Sequence, residues 1–239
     1  MKILRKISIY ISFVALFFVY STKVFAGTAE AVTYINTVYS LHLCETGSSA
    51  TSCKNPLVIR LTPTGTEMDI GSVTAGASAG KYGNLNVLVA GTTYTYGQVV
   101  LDRSFTLAGS DGSCQTSNTG AAGTATSFAV GKSGSDTDEK QTIYAGDGSG
   151  MSTSMNSTDW KDATTTGDAD AGTLQAGQAF MKFRWELDSP YTHVEGRIPS
   201  MKIAFDMSAA ITFNGTCGGA PSGGNGITPS SPTITNTIE

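Results

Sequence analysis

The feature that most constrains this chain is a strict two-residue alternation of apolar and polar side chains. It is clearest in Phe180-Met-Lys-Phe-Arg-Trp-Glu-Leu187. Met181, Phe183, Trp185 and Leu187 fall on one side, and Lys182, Arg184 and Glu186 on the other. Successive strand side chains point to opposite faces, so the pattern predicts a half-buried strand with a charged outer face. Met201, Ile203, Phe205 and Met207 alternate with Lys202, Ala204 and Asp206, and Leu57, Ile59 and Leu61 with Val58 and Arg60. Val99, Leu101, Phe105 and Leu107 share a parity that Arg103 alone breaks. Shorter candidates span 33–43, 67–73, 127–130, 141–145 and 211–213. No stretch carries apolar residues at helical spacing with caps. One-sided strands need a second layer over their apolar faces, so the expected fold is all-β, an antiparallel β-sandwich of the prealbumin or immunoglobulin kind, with a β-barrel as the alternative.

The N-terminus reads as an address. Lys2, Arg5 and Lys6 precede an apolar run from Ile7 to Tyr20, and Val24-Phe25-Ala26 supplies small residues for cleavage. The run is too short to span ~30 Å of hydrocarbon as a helix. A signal peptide over 1–26 is expected, followed by one β-sandwich domain over 27–217 and a tail over 218–239. An uncleaved anchor is the alternative. Export implies a secreted, extracellular or cell-surface protein, or a periplasmic one. Cleavage removes Lys2, Arg5, Lys6 and Lys23, leaving 11 basic against 19 acidic residues, a net charge of −8. Nucleic acid and anionic membranes both require clustered Lys or Arg, so neither is an expected partner.

Four cysteines, Cys44, Cys53, Cys114 and Cys217, remain in the mature chain. An even count behind an export signal reads as disulfides, of which three pairings are open. Proximity across a Gly/Ser/Thr hairpin tip favours Cys44 with Cys53, leaving Cys114 with Cys217. A zinc site would need closer pairing than this spacing offers.

The connections are rich in Gly, Ser, Thr, Asn and Asp, as turns are. One is long: 146–177 carries little apolar periodicity. Gly218 to Gly226 reads as a flexible linker, and Pro232 to Glu239 as a Thr/Ile strand-like tail. A strand on a flexible tether adds to an exposed sheet edge, its own or a neighbour's, so self-association through the tail is an expected partner mode. Removal of 227–239 is expected to leave a folded domain.

Val38-Tyr-Ser-Leu-His-Leu43, Met68-Asp-Ile70, and Ala90-Gly-Thr-Thr-Tyr-Thr95 leading to Val99-Val-Leu101 resemble uncharacterised secreted bacterial domains with a prealbumin-like β-sandwich. The likeness covers about 65 residues. It implies that fold and a bacterial cell-surface setting, and no activity. The cysteines and the long acidic loop lie outside it.

Chemistry is sparse. No cofactor is expected. For calcium, Asp168 and Asp170 stand in Gly167-Asp-Ala-Asp-Ala-Gly172, and Asp136 and Asp138 in Ser135-Asp-Thr-Asp-Glu139, as hard oxygen donors on turning backbone. The full EF-hand pattern is absent. Of the two histidines, His42 is expected on the outer face of a strand and His193 in a turn, the better placed for function. No nucleophile elbow accompanies either. Asp102, Glu186, Asp188, Glu195 and Asp206 are the carboxylates from which a glycosidase-like pair could be drawn. Tyr82, Tyr94, Tyr96, Trp160 and Tyr191 are the candidate platforms for surface glycans. No catalytic motif stands out, so the leading expectation is a non-enzymatic bacterial surface protein, a structural or adhesive subunit of an extracellular filament or similar assembly. The alternatives are a carbohydrate- or calcium-binding lectin-like module and a secreted hydrolase using a carboxylate pair.

Overall fold

A computed structural model describes residues 27–50, 52–71, 83–120, 122–123, 128–145, 160–163, 180–215, 217 and 226–238. The expected signal peptide, 1–26, and most of the segment 146–177 lie outside them. In chain order the strands are β1 (Gly27–Ala29), β2 (Thr33–Glu45), β3 (Leu57–Asp69), β4 (Thr93–Ala108), β5 (Cys114–Gln115), β6 (Lys132–Ser133), β7 (Gln141–Tyr144), β8 (Trp160–Ala163), β9 (Phe180–Thr192), β10 (Met201–Asp206), β11 (Ile211–Asn214), β12 (Gly226–Pro229) and β13 (Thr233–Ile238). No α-helix occurs among the described residues, only a 3-10 turn at Leu85–Val87. The protein is all-β, and among the described residues its antiparallel sheets do not close into a barrel.

The main sheet runs β3-β2-β4-β9-β8, with β7 also on β4. A second layer of two small sheets covers one of its faces. In the sheet β1-β11-β12, Ala29, Ile211, Phe213 and Ile227 pack with Tyr34, Phe105, Leu107, Ile143 and Met181. In the sheet β10-β13, Met201 and Ile238 close over Leu41, Leu43, Ile59 and Leu187. This is the sandwich that the alternation predicts. The segment expected as one long loop contains β8, an edge strand on β9. Two further departures lie on β9. The turn expected around His193, over 189–194, is mostly strand, because β9 runs on to Thr192 through a bulge: Tyr96 pairs with Glu186 but Tyr94 with Tyr191, and Pro190 sits in the irregular stretch, where no ladder donor is needed. Pairing then resumes at Thr93 and Thr192.

The larger correction concerns the second face of the main sheet. Lys182, Arg184 and His42 do point away from the sandwich core, but at these rows that face is not wet. Their relative exposures are 0%, 2% and 1%. Register aligns Ser40, Val100 and Lys182 in one row, and His42, Gln98 and Arg184 in the next. Arg184 Nε donates to Gln98 Oε1 at 2.6 Å, and Gln98 Nε2 lies 3.5 Å from His42 Nδ1. Burial pulls the Arg184 guanidinium down to about 10, so it stays charged at neutral pH. Trp185, expected deep in the core, is half-buried. Its indole lies flat on Gly97, where a Cβ would come within 2.3 Å of the ring, so only glycine fits beneath it.

The parity break at Arg103 is a bulge. Asn36 pairs with Phe105 and Val38 with Leu101, so one residue of β2, Thr37, faces three of β4. There β4 passes from β9 to β7 as its outer partner. Arg103 is fully buried, and its Nε donates to the Ala145 carbonyl at 3.0 Å. Asn36 holds the bulge open from the other side, donating from Nδ2 to Asp102 O at 2.8 Å and Ser104 O at 2.9 Å. Asn36→Leu removes both donors while adding apolar volume, and leaves carbonyls in a poorly hydrated site. The expected loss is about 2–4 kcal/mol in urea unfolding, from the cost of unpaired buried acceptors. A loss below about 0.5 kcal/mol would mean that the bulge holds itself.

Candidate functional site

The residues singled out for chemistry do not converge. Asp168 and Asp170 lie outside the described residues. Asp136 and Asp138 fold on themselves: Asp136 Oδ1 accepts the Asp138 backbone N–H at 2.8 Å, and the Asp136 N–H bonds Gln115 Oε1 at 2.9 Å. That is a local turn in which the side chain substitutes for backbone. Among the described residues no three His, Cys, Asp or Glu side chains gather into a metal-binding group.

The carboxylates are similarly dispersed. Asp102 accepts from Ser104 N at 2.8 Å and Asp206 from Ser208 N at 2.9 Å, each closing a turn or bulge. The Ser208 bonds hold the Asp206 carboxyl below its usual range. Asp102 and the partner of Glu186, Tyr96, stand six residues apart on β4. At about 3.3 Å per residue that is roughly 20 Å, too far for a glycosidase pair. Glu186 and Asp188 are closer along β9, but Asp188 Oδ2 is occupied by the Asn236 backbone N–H at 2.9 Å.

His193 is not in an open turn. It is 8% exposed, its backbone is paired with Thr92 and Gly91, and its Nδ1 lies 3.3 Å from the Tyr191 hydroxyl. Tyr94 is not a glycan platform, since it is 1% exposed and its hydroxyl accepts from Val89 N at 3.2 Å. Tyr96 and Tyr191 are half-buried. The side chain of Trp160, and Tyr82 altogether, lie outside the described residues.

Both disulfides form as the spacing suggested, Cys44 with Cys53 and Cys114 with Cys217, and no described cysteine is free. No described helix is long and apolar enough to cross a membrane. The disulfides are compatible with an extracellular location.

What the geometry does build is a C-terminal strand with a ladder of its own. β13 pairs antiparallel with β10 from Thr233↔Asp206 to Ile238↔Met201. Among the described residues neither strand pairs with any other. The alternation of the tail is used in full: Thr233, Thr235 and Thr237 face out, while Ile234, Asn236 and Ile238 face in. Asn236 is the anchor. It is 3% exposed, its Nδ2 donates to Glu186 O at 3.2 Å, and its N–H bonds Asp188. Only Ser230-Ser231-Pro232 separates β13 from β12. β12 itself is fixed: Ile227 is 1% exposed within the core, and Ser230 O accepts the Tyr34 hydroxyl at 3.1 Å. The tail therefore begins at Thr233. Residues 226–229, read in part as linker from composition, are strand. A truncation at 227 would remove core, so a clean test of the tail deletes only 233–239. Sequence signals alone could have found the alternation of β13 but not its partner.

No family model, no curated protein and no solved structure matches this chain.

Proposed function

We propose that this chain is a non-enzymatic structural or adhesive subunit of an extracellular bacterial assembly, in which β13 of one copy pairs with β10 of the next. The observation that carries the reading is the separate β10-β13 ladder: among the described residues β13 pairs with no strand but β10, and it is joined to a fixed strand by a three-residue, proline-containing hinge. A strand held by a single ladder on a short hinge is the kind that exchanges between copies, because every contact it makes in its own molecule is available in a neighbour. When the donor and acceptor surfaces differ, as β13 and β10 do, the contact is heterologous and repeats along a filament unless the rotation closes a ring. The two disulfides and the resemblance to secreted prealbumin-like domains support the extracellular setting.

Directly opposed residues of the ladder test it. Ala204 and Thr235 are partners, close enough for a disulfide across the strands. Mature Ala204→Cys/Thr235→Cys protein, oxidised at high concentration, is expected to give a ladder of covalent multimers on a non-reducing denaturing gel. Deletion of 233–239 is expected to abolish sedimentation of multimers while circular dichroism keeps its β signature. Crosslinking solely within single chains, with multimers absent at every concentration, would overturn the proposal.

A further inference from the structure

We propose that the space between the main sheet and the β10-β13 sheet is a binding site for one small, uncharged, apolar molecule of about the size of a single benzene ring. The observation is independent of strand exchange. Between the two layers lies a cavity of about 100 Å³. Leu101, Phe183 and Trp185 line it from the main sheet, and Ile203, Phe205 and Ile234 from the covering ladder. The Phe183 and Trp185 rings run nearly parallel, 21° between planes and 6.1 Å between centroids. Residues facing each other across a sandwich normally interdigitate and disappear from solvent. Here Leu101, Phe183, Trp185, Phe205 and Ile234 all keep partial exposure although they point between the layers. The void therefore explains why Trp185 is only half-buried on the face that the sequence assigns to the core.

The chemistry of the wall selects the occupant. Of the polar lining residues, the Asn36 amide protons go to Asp102 and Ser104, the Tyr34 hydroxyl to Ser230, the Arg60 guanidinium to Thr62 and Thr66, and the Ser231 hydroxyl to the Pro232 carbonyl, while Asn36 Oδ1 and Trp185 Nε1 are buried away from the space without a partner. What faces the space is carbon. The space is partly open to solvent, but water entering it meets too few of the two to four polar partners it needs, so an apolar solute displaces it favourably, and an enclosed apolar cavity of about 150 Å³ takes benzene. A cavity of this size and lining takes one ring or a short alkyl group, and excludes charged or hydroxylated analogues, whose polar group would be stripped of water without a partner.

Trp185 reports on occupancy. The chain has two tryptophans, so Trp160→Phe leaves Trp185 as the only one in the protein. Iodobenzene, a heavy-atom quencher, is titrated into this folded mature variant, with toluene and phenol as competitors. The expected result is saturable quenching at one molecule per chain, relieved by toluene, with phenol at least about tenfold weaker for its unpaired hydroxyl. Toluene at ten times its Kd is expected to raise Tm by about 3–6 °C. Filling the space by Ile203→Phe, or by the milder Val99→Leu, is expected to weaken iodobenzene at least about tenfold, read on whichever variant keeps a cooperative unfolding transition. Linear, unsaturable quenching would overturn the site, as would phenol competing as well as toluene. Strand exchange could fail its crosslinking test without changing any of these outcomes.

Discussion

Removing the Cys114–Cys217 bridge, by Cys114→Ser with Cys217→Ser, is expected to cost about 4–5 kcal/mol, whereas removing Cys44–Cys53 in the same way costs about 2–3 kcal/mol. The difference comes from loop length. The first bridge spans 103 residues and the second 9, and a crosslink that closes a longer loop takes more freedom from the unfolded chain. The long bridge also joins elements that sheet pairing leaves apart. Cys114 belongs to the two-stranded β5-β6 sheet, and Cys217 follows β11 in the covering layer. Guanidinium unfolding of the two double variants, each against the oxidised parent, gives the comparison. Equal losses from the two would show that the unfolded chain keeps Cys114 and Cys217 near each other without the bond.

The alternation told which residues share a face, and from that the strands, the layers and the all-β class were legible. It could not tell whether a face is wet. Lys182 and Arg184 look like an outer face because lysine and arginine usually seek water, yet the rows that hold them are buried on this face too, while Glu186 on the same side of β9 is exposed. The same limit hid His42. Bulges were legible only as anomalies: Arg103 broke the parity of β4, but the cause lies in Asn36, about 70 residues earlier in the chain and in another strand. Its bonds to two backbone carbonyls leave no local pattern. The short strands β1, β5 and β6 carry two or three residues each, below the length at which a period can be read. For the candidate site, the Thr/Ile tail announced a strand, and the hairpin spacing announced one disulfide. The cavity was not legible, because it arises from how far two sheets stand apart, and no single segment encodes that distance.

Replacing Arg184 by Leu is expected to cost about 3 kcal/mol, although its place opposite Trp185 on β9 would suggest a solvated side chain. The guanidinium is buried, and its Nε bond to Gln98 Oε1 is charge-assisted. A hydrogen bond to a charged group contributes about 1.5–3 kcal/mol, and its loss strands the Gln98 acceptor between β2 and β9. Arg184→Lys should recover little, since a lysine ammonium does not reproduce the position or plane of the Nε donor. The decisive measurement is a double-mutant cycle. Gln98→Leu alone should cost about 1–3 kcal/mol, and Arg184→Leu with Gln98→Leu should cost less than the sum by at least about 1.5 kcal/mol, because both changes remove the same bond. Two buried apolar side chains in place of the pair would even be tolerated if the fold asked only for packing at this row. Strict additivity would mean that Arg184 is held by contacts other than Gln98, and that the row from His42 through Gln98 to Arg184 is a coincidence of register. Coupling of the expected size would instead make that row a cross-strand clamp, fixing β2, β4 and β9 against one another on the face opposite the sandwich core.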